Sequence, residues 1–540
     1  MSAPLASVSL LAPGFFGLNT QDARVALDSG YATRANNCVI DKSGRLASRK
    51  GYDLLTTTPG TLSTNAYIES IWEHIDPDTT SYLLSAGDGK LFSGTTTLTA
   101  HSIKAADQTS NVSVTFTGNR WQFQSLAKGS GIGALNYGIA TQKGNTALVW
   151  RRTSDSATGT YIFQQIGTYG TIPSGVTTFD PDVCLASYGR IWTAGISANK
   201  HTIYYSDLLD PTNFSSGSSG VLDISSVVGN NDEIVGLASH NGFLVILCKD
   251  NIVVYQGPQA PTTMSLYDVV SGVGCVSRDS IKSTGTDLIF LSKSGIRSLL
   301  RTIQEKSMPM RELSLNIRDD IIGYIALEPD VALIKSGYSE SEAFYIILFP
   351  SSNIMIYFDL RMPLENGSAR TTTWSLTDGS VFKAFHETID RTFKLGVKNG
   401  IGKYSGYLDN TSTYGFIYKS SFSDITQGQV VKKFLKKANL IVDGAGEQDF
   451  VFKYGYDYTL NPRTVSVVRD LGTGIYAKYN TAGSLYGTSL YASPGLGIQI
   501  IKVALGGAGE TFAFGVECTI NDTALSIQKI DLFLKTGKTS

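Results

Sequence analysis

A short apolar strand, a polar turn and a second strand recur seven times between residues 82 and 404, and this repeat leaves the chain few folds to adopt. Tyr82-Leu83-Leu84 turns through Gly87-Asp88-Gly89 into Leu91-Phe92, and Gly138-Ile139-Ala140 turns at Lys143-Gly144-Asn145 into Ala147 to Trp150. Arg190-Ile191-Trp192 and Thr202 to Tyr205 flank Asn199-Lys200. Phe243 to Leu247 returns as Ile252 to Tyr255, Leu288 to Leu291 as Ile296, Phe344 to Leu348 as Ile354 to Tyr357, and Phe393-Lys394-Leu395 as Ile401. The residues that follow the turns are 57, 55, 49, 44, 58 and 47 positions apart. Periods of about 40 to 50 residues that hold strands and turns mark propeller blades. A lone hairpin cannot bury its apolar face, so neighbours stack, and radial closure leaves no long open edge. The expected fold is all-β, a propeller of six or seven blades. The alternative is an irregular array of β-sandwiches with evenly spaced hairpins. Leu315 to Ile325 has helical spacing behind a Ser314 cap and is expected to lie across the propeller as a connector.

At 540 residues the chain needs two or three structural units. Residues 1–60 lack the blade pattern and are rich in turns, such as Pro13-Gly14, Asn36-Asn37 and Lys42-Ser43-Gly44. Beyond residue 411 the strands change texture: Asp449 to Tyr456 is aromatic, and Ile498 to Val503 and Ile527 to Phe533 read as core strands. Segments 1–60 and 411–540 are expected to form one β-sandwich-like platform, with the propeller at 61–410 inserted between them. Tyr476, Tyr479, Tyr486 and Tyr491 sit among Gly and Ser, the texture of an adaptable contact surface.

Charged residues are 17% of the chain, against roughly 25% in an average soluble protein. The net charge is −1, so no global basic field draws it onto nucleic acid. The N-terminus lacks the basic start of a signal peptide, and no apolar run approaches the roughly 20 residues of a membrane helix. Cys38, Cys184, Cys248, Cys275 and Cys518 are scattered, odd in number and without a C-x-x-C pair, so they read as buried free thiols of a protein made in the cytoplasm.

Catalytic patterns are weak. Neither G-x-S-x-G nor H-E-x-x-H occurs, and Gly537-Lys538-Thr539 lacks the first glycine and following helix of a phosphate loop. His74, His101, His201, His240 and His386 are mutually distant in sequence, so no metal site is expected. Asp76-Pro77-Asp78 and Asp180-Pro181-Asp182 read as turn starters rather than a glycosidase acid pair. A sialidase-like Ser-x-Asp-x-Gly-x-x-Trp box is missing too. No catalytic residue, cofactor or metal ligand is assigned. Arg45, Arg49, Lys50 and Tyr52, the run Lys432, Lys433, Lys436 and Lys437, and Tyr476 and Tyr486 are candidate assembly contacts. On a strand, Lys432, Phe434 and Lys436 face opposite to Lys433, Leu435 and Lys437, which suits a solvated edge strand or a subunit contact better than a DNA grip.

Four stretches, taken in order, resemble the tail nozzle family (tail tubular protein B) of short-tailed double-stranded DNA bacteriophages. They are Pro13 to Thr20 with Ala35 to Val39, Gly44-Arg45-Leu46 and Arg49-Lys50-Gly51-Tyr52; Ile203 to Asp207 with Asp210 to Phe214; Asp232 to Leu237 through Ile252 to Tyr255; and Gly272 to Ser277 with Leu288 to Ile296. The C-terminal third is similar only in texture. The resemblance implies a virion protein, a hexamer at the distal end of the tail. It would dock on the adaptor or tubular A ring, support tail fibres and surround the channel through which DNA leaves. The competing readings are a propeller glycan hydrolase or depolymerase, which needs an acid pair in the propeller mouth, and a carbohydrate-binding tail fibre protein, which needs exposed aromatics there. A segment Arg49 to Tyr52 packed far from any cleft is the expectation under the nozzle reading.

Overall fold

In the computed structural model the described residues are 6–12, 14–24, 27–41, 44–77, 80–129, 135–153, 159–229, 231–305, 312–423, 431–444, 450–459, 462–467 and 498–537. The seven hairpins fall one to a sheet, and the sheets stand radially as a β-propeller. The first blade is Ser70–Ile75, Ser81–Gly87, Lys90–Ser93 and Thr99–His101. The second is Gln122–Lys128, Leu135–Gln142, Asn145–Arg152 and Tyr161–Gln165, widened by Ile103–Lys104 and Asn111–Val112. Val183–Ser187 opens the third and Ile234–His240 the fourth. The fifth sheet is a three-stranded wedge, Lys282–Ser283, Leu288–Ser292 and Gly295–Ser298. Lys335–Ser339 opens the sixth, whose last strand is Arg370–Trp374, and Ala384–Glu387 opens the seventh. Six full blades and one wedge therefore make the ring.

The turns form where the sequence supplies residues that tolerate left-handed backbone. Asp88 and Gly89 stand at φ 53° and 67° between two strands of the first blade, the pair of positive angles that a tight hairpin needs. Apolar side chains on both faces of each middle strand then fill the gaps between blades. Trp121, Phe123, Leu148, Trp150 and Phe163 pack against Leu84 and Leu91 between the first two blades. Phe344, Tyr357, Trp374, Phe393 and Tyr404 fill the gap between the sixth and seventh. Each such aromatic buries enough area to contribute roughly 2–3 kcal/mol. All five cysteines are buried and unbridged, and burial raises the thiols of Cys184 and Cys275 to about 12.

Closure comes from the N-terminal segment. Tyr52–Leu54 pairs antiparallel with Gly400–Tyr404 and becomes the outer strand of the seventh blade. The boundary expected at residue 60 therefore moves: the propeller takes its last strand from residues 52–54.

The remaining N-terminal strands join the C-terminal ones in two facing sheets. One is an extension of the sixth blade. Gly17–Leu18 lies parallel to Arg370–Trp374, followed by Tyr31–Asn36, Tyr414–Ser420, Phe512–Ile520, Phe450–Tyr456 and Arg463–Val467. The other runs Ile498–Ala504, Lys433–Gly444, Leu525–Thr536, Leu46–Ser48 and Cys38–Ile40, with Ala6–Leu11 beside Leu525–Thr536. Leu435, Leu440 and Val442 of one sheet and Phe416, Phe452 and Phe514 of the other share a single core with Ile289, Leu291, Tyr345 and Phe358. That core also fills the gap between the wedge and the sixth blade, so propeller and platform are packed as one body.

Arg318–Leu327 is helical, behind a single 3-10 turn at Leu315–Ile317. Ser314 does not cap it. Its Oγ accepts the Ile296 backbone N–H at 2.9 Å and ties the loop to the wedge instead. The helix is held to the N-terminal segment, where Thr20 Oγ1 donates to Asp320 at 2.6 Å, and Tyr324 packs on Phe349. It connects the wedge to the sixth blade, packs on both, and borders the platform core.

Candidate functional site

Two places gather charged side chains: the junction of propeller and platform, and the propeller axis. At the junction, Arg49 is completely buried. Its guanidinium donates to both Asp409 oxygens at 2.7 Å, to Asn37 Oδ1 at 2.8 Å and to the carbonyls of Lys50 and Ser375 at 2.9 Å. The Tyr414 ring lies 4.2 Å from its central carbon. Burial works against the Arg49 charge, but bonding to Asp409 outweighs it and holds the pKa above the ordinary guanidinium value. Lys50 Nζ meets Glu342 at 2.6 Å, and its backbone N–H donates to Tyr404 Oη. A Cβ on Gly51 would stand 1.8 Å from the Leu408 carbonyl oxygen, and Tyr52 meets Phe382 edge to face. Residues 49 to 52 therefore clasp the N-terminal segment, the seventh blade and the loop before the platform.

This corrects the expected role of Arg49, which offers nothing to a partner. Lys433 is also buried and donates to the Glu510 carbonyl at 2.6 Å. The expected alternation holds, with Lys432, Phe434 and Lys436 exposed and Lys433 and Leu435 buried. The expected edge strand does not. Lys433–Gly444 is paired on both sides, with Ile498–Ala504 and with Leu525–Thr536, because its inner face completes the platform core. Lys437 lies 4.2 Å from the Phe533 ring. Arg45 pairs with Asp41 and Asp443 and, with Lys50, lines a cleft of about 390 Å³ between the last blades and the platform. The segment is thus not far from a cleft. Tyr476, Tyr479, Tyr486, Tyr491, Lys538 and Thr539 lie outside the described residues.

On the axis, the first strands of all seven sheets surround a cavity of about 430 Å³. Its floor is cross-linked. Arg120 bonds Asp182 at 3.1 Å and Asp279 at 3.0 Å, while Arg278 bonds Asp182 and Asp279 at 2.9 Å. These four residues stand just before the first strands of the second, third and fifth sheets, so the pairs span the axis and plug one end. Burial opposes each charge, yet the opposite charges outweigh it: the Asp182 and Asp279 carboxyls are held below, and the Arg278 guanidinium above, their ordinary values. Density of charge in sequence gives no sign of this plug: Arg278 and Asp279 are neighbours, but Arg120 stands 62 residues before Asp182 and 159 before Asp279.

Lys335 sits above the floor, buried, and donates to the Glu69 carbonyl. Burial lowers its pKa from 10.5 to about 8, with Asp279 and Glu69 opposing in part. The unfolded lysine keeps its proton to about 10.5 while the folded one releases it near 8, so in that window the unfolded state binds more protons. Stability relative to Lys335→Met is therefore expected to rise from pH 8 to pH 10.5. Urea unfolding of both proteins across this range checks it, and parallel profiles would remove Lys335 as the cause.

Between the first two blades, the hydroxyl of Ser125 lies 2.9 Å from His74 Nδ1 and accepts from Trp72 Nε1 at 3.3 Å. The other side of the His74 ring faces Asp76 at 3.4 Å, and Asp76 is bonded by Arg152 at 2.6 Å. The residue types are those of a hydrolytic triad, although Asp76-Pro77 in sequence marks only a turn. His74, Asp76 and Arg152 are all buried, and the carboxylate is committed to Arg152, so the geometry acts as a polar bolt between blades. Among the described residues no group of three His, Cys, Asp or Glu is placed to hold a metal ion, and no helix is long and apolar enough to cross a membrane.

No protein-family model and no curated protein sequence matches the chain. Among solved structures, it is similar to the WD40 β-propeller domain of Doa1, at 10% identity and a TM-score of 0.33 over 66% of this chain and 96% of that one. It is similar also to the WD40 domain of Neurospora crassa Pan2, at 10% identity and a TM-score of 0.30 over 70% of this chain and 97% of that one. Kluyveromyces lactis Hsv2 gives 11% identity and 0.28 over 54% and 80%.

Proposed function

We propose that the chain is a structural ring subunit, the tail nozzle of a short-tailed bacteriophage, and not an enzyme. One observation carries the reading. Arg49 to Tyr52, the end of the first stretch that carries the resemblance, are spent on locking a propeller to a platform built from both ends of the chain. Such residues serve a rigid building block: Arg49 is fully buried and bonded, and Lys50, which borders the cleft beside the platform, is held by Glu342. In the ring, about six copies surround the DNA exit channel, with the adaptor or tubular A ring above and tail fibres at the rim. The propeller axis is not that channel, being plugged by Arg120, Arg278, Asp182 and Asp279. The channel runs between subunits. A net charge of −1 lets a polyanion slide without the counterion release that would grip it. Imaging intact virions tests the proposal: propeller density at the distal end of the tail is expected, and a particle without it overturns the reading.

A further inference from the structure

The axial cavity is a blind funnel with a charge imbalance that the fold does not use. Next to it, toward solvent, lies a second cavity of about 570 Å³ between the wedge and the sixth and seventh blades. The two share Lys282, Ser283, Phe385 and His386 as walls. Together they have the size and depth of a small-molecule site.

Most acids on these walls are committed. Asp279 belongs to the plug, and Glu69 accepts from Asn119 Nδ2 at 3.0 Å. Glu387 accepts the backbone N–H groups of Glu340 and Ser341 and the Ser339 hydroxyl. Glu340 is exposed at the rim. The cations are less committed. Among the described residues, Lys282 Nζ and the Arg391 guanidinium make no hydrogen bond or ion pair, and both face the outer cavity. Lys282 is enclosed by protein yet reached by water through the funnel, and this burial lowers its pKa. His386 adds a neutral donor. Burial lowers it to about 4, and its Nε2 accepts the Glu73 N–H at 3.2 Å, so the proton sits on Nδ1. Trp72, Tyr338 and Phe385 supply aromatic surface beside these polar groups.

We propose that the funnel binds a sugar-sized monocarboxylate, an acidic monosaccharide or the acidic end of a glycan, with its carboxylate on Lys282 and Arg391 and its ring against the aromatic wall. Two uncommitted cations with Glu340 nearby match one negative charge better than a phosphate dianion, and a mixed aromatic and hydroxyl lining suits a pyranose. The site is independent of the nozzle reading, since it lies inside one subunit.

Titration of the full chain with glucuronate, glucose, acetate and inorganic phosphate, followed by ligand-observed NMR, tests it. Saturable glucuronate binding is expected, at least about tenfold tighter than glucose or acetate. Lys282→Gln is expected to weaken glucuronate about tenfold, and Arg391→Gln, on an exposed loop, severalfold. The Arg391 variant keeps the test valid should Lys282→Gln fail to fold. Glucuronate binding that is undetectable, or unchanged in both variants, overturns the proposal. Phosphate binding tighter than glucuronate overturns it too.

Discussion

Replacing Arg49 by methionine is expected to destabilise the protein by about 3–5 kcal/mol, the loss found when one partner of a buried ion pair is removed. The variant keeps the bulk of the side chain but strands the Asp409 carboxylate, whose side chain is only 4% exposed, without its two 2.7 Å partners. Asn37 Oδ1 and the Ser375 carbonyl lose a donor as well. Arg49→Lys is expected to recover little, because one ammonium cannot serve five acceptors in the plane of a fork. Arg49→Met with Asp409→Leu is expected to recover much of the loss, since the uncompensated charge is then gone. Urea unfolding of the four proteins decides the matter. Equal stability of wild type and Arg49→Met would mean that the clasp is not a structural joint.

Alanine at Gly51 is expected to cost about 3 kcal/mol, the upper end for overpacking, although it adds a single methyl group. The methyl would sit 1.8 Å from the Leu408 carbonyl oxygen and 2.4 Å from its carbon, and both are backbone. The two chains must separate, which strains the bonds from Gly51 to Gly406 and from Tyr52 to Leu408. Those bonds lead into the closing strand, so the seventh blade loses its outer edge. Limited proteolysis reads this directly, as faster cleavage between residues 44 and 60. Gly323→Ala is the control. Nothing lies within 4 Å of its added carbon, and in an exposed helix the change is expected to stabilise by up to about 1 kcal/mol. If the two substitutions behave alike, the close approach at Leu408 is not what fixes the N-terminal segment.

The hairpins were legible because everything that makes them is local: an apolar run, a turn residue such as Asp88 or Asn399, and a second run. The platform was legible in outline from the change in texture after residue 411. What escaped depends on partners far apart in the chain. Arg49 resembles any surface arginine until Asp409, 360 residues later, is seen to complete it. Lys433 belongs to a dense basic run, yet position on a two-sided strand buries it while its neighbours stay exposed. The plug, the bolt at His74 and Ser125, and Lys282 each arise from side chains that only radial closure brings together. The closing strand Tyr52–Leu54 is too short to show a period of its own.

Cryo-electron microscopy of intact tails, averaged without imposed symmetry, tests the central claim most directly. The account predicts a closed ring of six copies at the distal end, with platforms forming the subunit contacts and no DNA density along any propeller axis. Single copies or a three-fold arrangement, with propellers lining the channel and the N-terminal and C-terminal strands turned to solvent, would contradict it.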